Sequence, residues 1–157
     1  MTHYQSILSS YDSIHRSPLN RASHAIGIPL IMTSIIAALS YFHPSAGGVW
    51  HYANPATVLA VATVALVMSW SQAAGLAYLA LVIGCTAVAQ ALITHLTGWS
   101  AVAIIAGGCA LGWVFQFVGH GFEGKSPQFV MRPENLLLGP IMIMAELFPA
   151  IRPRGDA

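Results

Sequence analysis

The sequence predicts an all-α integral membrane protein: a helical bundle of four transmembrane helices, with an amphipathic helix before them and a short or re-entrant helix after them. The chain has 157 residues with only 6 Lys and Arg and 5 Asp and Glu, and none of these lies between Arg21 and Glu123. A soluble domain needs charged side chains on every outward face, whereas each ionisable group in hydrocarbon costs several kcal/mol. The gap fits about four crossings at roughly 20 residues each. The length suits a single domain, residues 1–157.

An amphipathic helix is predicted over residues 3–15, before the first crossing. Its apolar side chains recur at helical spacing on one face: Tyr4, Ile7, Leu8, Tyr11 and Ile14. With few cations, this helix is expected to lie at the membrane interface or to dock on the bundle. Pro18 ends it, and Asn20 is the expected N-cap of the next helix.

Four apolar segments follow, and each is predicted to cross the membrane. The first, second and fourth cover approximately residues 22–42, 56–70 and 101–120, and the third follows a polar break at 69–72 and ends near Thr94. Pro29 is expected to kink the first segment, and Gly108 and Gly112 in the fourth form a G-x-x-x-G pattern that permits close helix contact. A last apolar segment begins at Pro133, has about 16 residues and contains Pro140, so it is short for a crossing and is predicted to be re-entrant or interfacial.

The basic residues orient the helices. Arg16 and Arg21 precede the first crossing, and Lys125 and Arg132 follow the fourth. An even number of crossings places both pairs on one side, which the positive-inside rule makes the cytoplasm. The membrane is then the inner membrane of a bacterium or the endoplasmic reticulum of a eukaryote. Glu146, inside the last apolar segment, is costly unless paired, and an ion pair with Arg16 or Arg21 is favoured over a hydrogen bond to a histidine.

Histidines form a large share of the reactive side chains, because carboxylates and lysines are so scarce. The predicted topology brings His15, His24 and His120 to the same membrane face and places His95 at the opposite one. A lone histidine at a helix end is more often an interfacial hydrogen-bonding group than a ligand. Here three histidines are expected on one face beside Glu123. With this grouping, a metal or catalytic site is about as well supported as an interfacial hydrogen-bonding role. Imidazoles from separate helices, with a carboxylate or amide nearby, are typical of metal sites in bundles.

The fourth crossing also carries a polar face. Its side chains are spaced by three and four residues: Trp113, Gln116, His120 and Glu123. Such a face alone more often packs between helices than forms a site. Beside the histidines, however, Gln116 or Asn20 could orient the imidazole rings through hydrogen bonds.

These donor types fit more than one function. Nitrogen and carboxylate ligands with open coordination positions suit the non-haem Fe(II) of oxygenases, and the same ligands suit Zn(II). Two of the histidines could instead be axial ligands of a haem in a membrane electron carrier. A non-catalytic scaffold or small transporter would keep all of them as interfacial groups. The near-zero net charge gives no reason to expect nucleic acid as a partner.

Three motifs resemble the 2-hydroxy fatty acid dioxygenase family, small membrane proteins that act in phytosphingosine breakdown to odd-numbered fatty acids. The motifs are S-P-L-N-R-A-S-H-A-I-G-I-P-L at residues 17–30, W-V-F-Q-F-V-G-H-G-F-E-G-K-S-P at 113–127 and N-L-L-L-G-P-I-M-I-M-A-E-L at 135–147. The resemblance covers nearly the whole chain, although the middle matches only as apolar segments.

The resemblance implies an Fe(II)-dependent dioxygenase that uses O2 to cleave a long-chain 2-hydroxy fatty acid between carbons 1 and 2. The product is a fatty acid one carbon shorter. The family's histidines correspond here to His15, His24 and His120, and to His95 just before the fourth crossing. His95 conflicts with the predicted topology, so either the third crossing is bent or shifted, or His95 is not a ligand. The membrane lipid would surround the alkyl tail of the substrate.

Overall fold

The structure, a computed structural model, describes residues 3–12, 15–42, 53–124 and 135–152, and within these ranges the regular elements are all helices. The α-helices are α1 (His3–Asp12), α2 (Pro18–Ser40), α3 (Pro55–Trp70), α4 (Gln72–His95), α5 (Gly98–Glu123) and α6 (Asn135–Leu147). A single 3₁₀ turn, Pro149–Ile151, follows α6. The prediction of an all-α chain is therefore confirmed over these ranges.

Three helices, α2, α4 and α5, are long and apolar enough to cross a membrane. Their outward faces carry large apolar side chains such as Ile83 and Phe117, which are 59% and 53% exposed and suit a hydrocarbon surrounding. Helix α3, predicted as a crossing, is apolar but has only 16 residues, which is roughly 24 Å of helix. Helix α6 is short, as predicted. Three residues of the predicted topology lie outside the described ranges: Lys125, Arg132 and Pro133.

Two apolar clusters show how α3 runs through the bundle. At one end, Val67 near the end of α3 packs in a cluster with Leu8 of α1 and Met142 of α6. At the other end, Ala56 in the first turn of α3 packs with Ala37 near the end of α2. Helix α3 therefore runs opposite to α2, and α1 and α6 cover the end of the bundle where α3 finishes.

The most extensive helix contact joins α2 to α5, and small residues line it. A Cβ atom at Gly112 would lie 2.7 Å from Ile31 Cγ1 and 2.8 Å from the Gly27 carbonyl oxygen. A Cβ atom at Gly108 would lie 3.0 Å from Ser34 Oγ. The G-x-x-x-G pattern of α5 therefore brings the two backbones together, as predicted. The same pairs show that α2 and α5 are antiparallel.

The start of α2 differs from the prediction. The expected N-cap, Asn20, lies inside the helix, which begins at Pro18 with Ser17 as its N-cap residue. Proline favours the first helical position because its missing N–H is not needed there. Asn20 is instead fully buried in the first turn of α2, so its side chain lies inside the bundle and does not cap the helix. Helix α2 continues through Pro29 to Ser40.

Helix α1 docks on the bundle with the apolar face that the sequence predicts. Tyr4, Leu8 and Tyr11 are all buried. The Ile7 side chain and Ile14 are outside the part of the chain that the structure describes. Burial of this face favours docking over a helix that floats at the interface.

Two ion pairs fasten the ends of the chain to the bundle. Arg21 Nε in α2 lies 3.4 Å from Glu146 Oε1 in α6, so the predicted pairing of Glu146 is confirmed with Arg21. Arg152 Nη1, after the 3₁₀ turn, lies 2.9 Å from Asp12 Oδ2 in α1. These contacts place α1, α6 and the start of α2 together at one end.

The antiparallel order predicts which residues share a membrane side. In a chain whose Cys85 and Cys109 are replaced by alanine, single cysteines at Arg16 and Gly124 should be labelled by a membrane-impermeant maleimide from the same side of the membrane. A cysteine at Trp99, the 87% exposed residue at the start of α5, should be labelled from the other side. Labelling of all three positions from one side would rule out this arrangement.

The α2–α5 contact predicts that an added methyl group lowers the stability of the protein at one glycine of α5 and does not lower it at another. Gly112→Ala should lower the midpoint of thermal unfolding, because overpacking of a tight contact typically costs about 1–3 kcal/mol. Gly107→Ala is the control, since a Cβ atom there meets nothing within 4 Å. Circular dichroism of the detergent-purified variants measures both, and equal midpoints for the two variants would contradict the tight contact.

Candidate metal centre

Three histidine side chains from separate parts of the chain meet at one end of the α2–α5 contact. His15 lies in the link between α1 and α2, His24 lies early in α2, and His120 lies in the last turn of α5. Each is 4% exposed, and one ring nitrogen of each lies within 4.8 Å of the other two. The ring centroids are 4.9–5.2 Å apart, with the rings edge-on to one another. One ion could therefore contact all three rings.

Hydrogen bonds fix two of these rings in the state that a metal requires. His15 Nδ1 lies 3.2 Å from the Tyr11 carbonyl oxygen, and His24 Nδ1 lies 2.9 Å from the Asn20 carbonyl oxygen. A carbonyl only accepts, so each Nδ1 carries the proton and donates it. The Nε2 atom of each ring then keeps its lone pair for a metal ion.

The third ring, His120, lacks such a bond. Its Nδ1 is buried with no hydrogen-bond partner, and the same holds for Gln116 Nε2 and Asn20 Oδ1 on the adjoining turns of α5 and α2. A buried polar atom without a partner costs about 1–3 kcal/mol. These polar atoms therefore have no partner within the protein, and a bound metal or substrate could supply one.

Burial keeps the His15 ring neutral. It lowers the pKa of His15 to about 4, although the bond to the Tyr11 carbonyl opposes this shift. The ring also stacks on the Tyr11 ring, with centroids 3.6 Å apart and planes 8° from parallel. A neutral imidazole in a fixed orientation is the form that binds a metal.

The close helix contact sets the positions of His24 and His120. At Gly119, next to His120, a Cβ atom would collide with the side chains of Asn20 and Ser23 and would approach His24 Nδ1 to 3.2 Å. Only glycine allows the first turn of α2 to approach α5 so closely. The spacing of the two rings therefore follows from the same contact that holds the bundle together.

Glu123, predicted as part of the site, lies at the end of α5 beside the three rings. Its Oε1 accepts a hydrogen bond from the Ser17 N–H and lies 3.4 Å from Asn20 Nδ2. It does not belong to the group of donor atoms within 4.8 Å of one another, which in the described residues contains histidines alone. Trp113, the other end of the predicted polar face, pairs with Phe117 instead, with ring centroids 6.0 Å apart.

The structure does not bring His95 to the other histidines. It is the exposed last residue of α4, whereas His120 lies near the far end of the 26-residue helix α5. A helix of this length separates the two by roughly 35 Å. The structure therefore places His95 apart from the three rings, at the opposite end of α5 from His120.

Sequence reasoning missed two contributors, Tyr11 and Ser17. Tyr11 supplies both the stacking ring and the carbonyl for His15, and Ser17 supplies the N–H for Glu123. Tyr11 could have been found, because it precedes His15 by four residues just as Asn20 precedes His24. The Ser17 contact joins residues more than a hundred positions apart, and no local pattern reports it.

The donor set fits a divalent transition metal. Three imidazole nitrogens are available, two with their tautomers fixed by the backbone and one with an unpartnered Nδ1. Three protein ligands leave coordination positions open for a substrate, as catalytic sites require. Both Fe(II) and Zn(II) accept imidazole nitrogen.

An apolar helical bundle with a buried centre of three histidines defines a membrane protein with a candidate metal site. The chain belongs to the Mpo1-like family, whose family model, described as 2-hydroxy-palmitic acid dioxygenase Mpo1-like, matches residues 1–151. No curated protein matches the chain, and no solved structure does.

The geometry predicts three histidines that the metal needs and one that it does not. His15→Ala, His24→Ala and His120→Ala should each lower the bound metal to near zero, because an open site with three ligands has none to spare. His95→Ala, far from the centre, should retain the metal content of the unmodified protein. Elemental analysis of the detergent-purified variants measures this. Full metal in His120→Ala would contradict the assignment.

Proposed function

We propose that this protein is an Fe(II)-dependent dioxygenase that shortens long-chain 2-hydroxy fatty acids by one carbon. One observation carries the proposal: three buried histidine rings converge at the end of an apolar bundle in a chain of the Mpo1-like family. The buried centre supports a metal-dependent reaction over a scaffold role. The apolar surface around it suits a substrate with a long alkyl tail.

The reaction balances with O2 alone. A 2-hydroxy acid and one O2 contain the atoms of the shortened fatty acid, CO2 and water. Breaking the bond between carbons 1 and 2 and oxidising carbon 2 to a carboxyl group removes four electrons, and one O2 accepts four. No separate reductant is required, so the reaction does not call for a nicotinamide or flavin.

In this proposal His15, His24 and His120 hold the iron, which when bound supplies the redox chemistry that O2 requires. All three ligands are neutral, so none of them directly neutralises the charge of the ion. A carboxylate substrate brings a negative charge to this buried place, which favours an anionic acid over a neutral lipid.

Gln116 and Asn20 are proposed to serve polar groups of the bound substrate or to orient the rings. Both side chains are buried, and each has an atom without a partner, Gln116 Nε2 and Asn20 Oδ1. A site whose buried polar groups are satisfied only by the substrate hydroxyl discriminates strongly against an analogue that lacks it. Glu123 lies next to these side chains, with its Oε1 3.4 Å from Asn20 Nδ2.

The site is proposed to face the cytoplasm, because the Arg-containing start of α2 lies at the same end of the bundle. Its position at the end of the helices lets the carboxylate of a membrane-dissolved acid reach the histidines while the tail stays among apolar side chains. Arg16, which is exposed, and Arg21, which is partly exposed, lie at that end and are proposed to attract the substrate carboxylate.

The substrate prediction compares two acids that differ by one hydroxyl. With Fe(II), 2-hydroxypalmitate should consume O2 and yield the acid one carbon shorter, whereas palmitate should not react. Neighbouring chain lengths should also react, because each methylene contributes only about 0.8 kcal/mol. Oxygen uptake, mass spectrometry of the product and ¹³CO2 release from a carbon-1 label measure the reaction.

Metal exchange separates this proposal from a hydrolase. The reaction should stop without O2 and should fail with Zn(II), which has no redox chemistry. Equal turnover with Zn(II), or release of ¹³C without O2 uptake, would overturn the dioxygenase proposal. A Soret absorption band in the purified protein would point to a haem carrier instead.

A further inference from the structure

The carboxylate of Glu123 links α5 to the start of α2. It accepts a hydrogen bond from the Ser17 N–H, at the residue that precedes α2, and its Oε1 is 3.4 Å from Asn20 Nδ2. A carboxylate near the N-terminus of a helix is also favoured by the helix dipole. One side chain from the last turn of α5 thus holds the first turn of α2 and the link before it.

Each partner of Glu123 connects to a different histidine. Ser17 is two residues after His15, in the short link that carries that ring. Asn20 holds the His24 ring, because its carbonyl oxygen accepts the His24 Nδ1 proton at 2.9 Å. Glu123 itself is one turn after His120 on α5. The carboxylate therefore sits at the point where all three histidine-bearing segments are joined.

The need for such a link is greatest at His15. His24 and His120 lie on long helices that pack tightly through Gly119, whereas His15 lies in the link between two helices. Its segment is held from one side by Arg21 Nε, which donates to the His15 carbonyl oxygen at 2.9 Å. From the α5 side, the hydrogen bond between Ser17 and Glu123 holds it.

We propose that Glu123 is a positioning residue that closes the His15 segment onto the other two histidines, and that it is not a metal ligand. The expected effect of Glu123 on metal binding rests on the proposed metal centre. Its role in holding the His15 segment rests on the hydrogen bonds described above. In the described residues no carboxylate shares the cluster of donor atoms within 4.8 Å of one another. Both contacts of Glu123 Oε1 use it as an acceptor, a role that an amide oxygen also fills.

The glutamine variant therefore separates the roles. Glu123→Gln keeps an oxygen that accepts from the Ser17 N–H and Asn20 Nδ2, so it should bind Fe(II) within about 3-fold of the unmodified protein. Glu123→Ala removes the acceptor and should weaken Fe(II) binding by about 10–100-fold, as for other residues that orient ligands. Gly121→Ala, on the same last turn with nothing within 4 Å of its Cβ atom, is the matched control. Anaerobic competition with a chelator of known affinity measures the binding.

Amide hydrogen exchange in the metal-free protein tests the hydrogen bond directly. The Ser17 amide should exchange faster in Glu123→Ala than in the unmodified protein, while Glu123→Gln and Gly121→Ala should keep its protection. This measurement does not require metal binding or activity. Asn20→Ala should also weaken Fe(II) binding, and its effect combined with Glu123→Ala should be less than additive, because both changes break the same link.

The outcomes separate the two proposals. If Glu123→Gln loses Fe(II) as completely as His120→Ala while its thermal unfolding is unchanged, Glu123 is a ligand and the positioning role is wrong. Unchanged Ser17 exchange in Glu123→Ala also overturns it. If the unmodified protein binds no Fe(II), the metal proposal fails, and the exchange experiment still decides whether Glu123 holds the His15 segment.

Discussion

The close approach of α2 and α5 is the contact on which the rest of the site depends. Glycines replace side chains where the two backbones meet, at Gly27, Gly112 and Gly119. In hydrocarbon there is no hydrophobic force between helices, so small residues that allow dense packing and hydrogen bonding are what hold them together. The register of this contact also places His24 opposite His120, so the stability of the bundle and the geometry of the candidate centre have the same cause.

The third histidine comes from outside this helix pair, and polar contacts hold it there. His15 stacks on Tyr11, donates to the Tyr11 carbonyl and is tied through its own carbonyl to Arg21. Arg21 in turn pairs with Glu146, which brings α6 over the same end. Several of the chain's few charged residues, scattered in the sequence, therefore gather where the histidines meet. Away from this end, the described parts of α3, α4 and α5 present an apolar surface.

Much of the fold followed from the charge gap and from helical spacing, because both are local properties of the sequence. The same was true of the three convergent histidines, since an up-and-down bundle fixes which helix ends share a side. The role expected for Asn20 at a helix end was wrong, because Pro18 starts α2 earlier and buries the Asn20 side chain. His95 lies apart from the three rings, because it precedes α5 and His120 lies near the other end of that helix. The family resemblance does not report this separation. Contacts such as that of Ser17 with Glu123 depend on the angle between helices. The spacing of residues along the sequence does not contain that angle.

The neutral donor set gives a physical reason for the proposed class of substrate. A divalent ion held by three imidazoles keeps its full charge in a buried place, where water compensates it poorly. An added protein carboxylate would neutralise part of that charge and weaken the attraction for an acid. In the described residues the nearby carboxylate, Glu123, accepts from the Ser17 N–H and lies close to Asn20, outside the group of donor atoms, so its charge would act on a bound ion only from a distance. With the proposed metal bound, such a centre would select the head of the substrate by its charge, while the apolar helix faces would accept its tail with little selection for length.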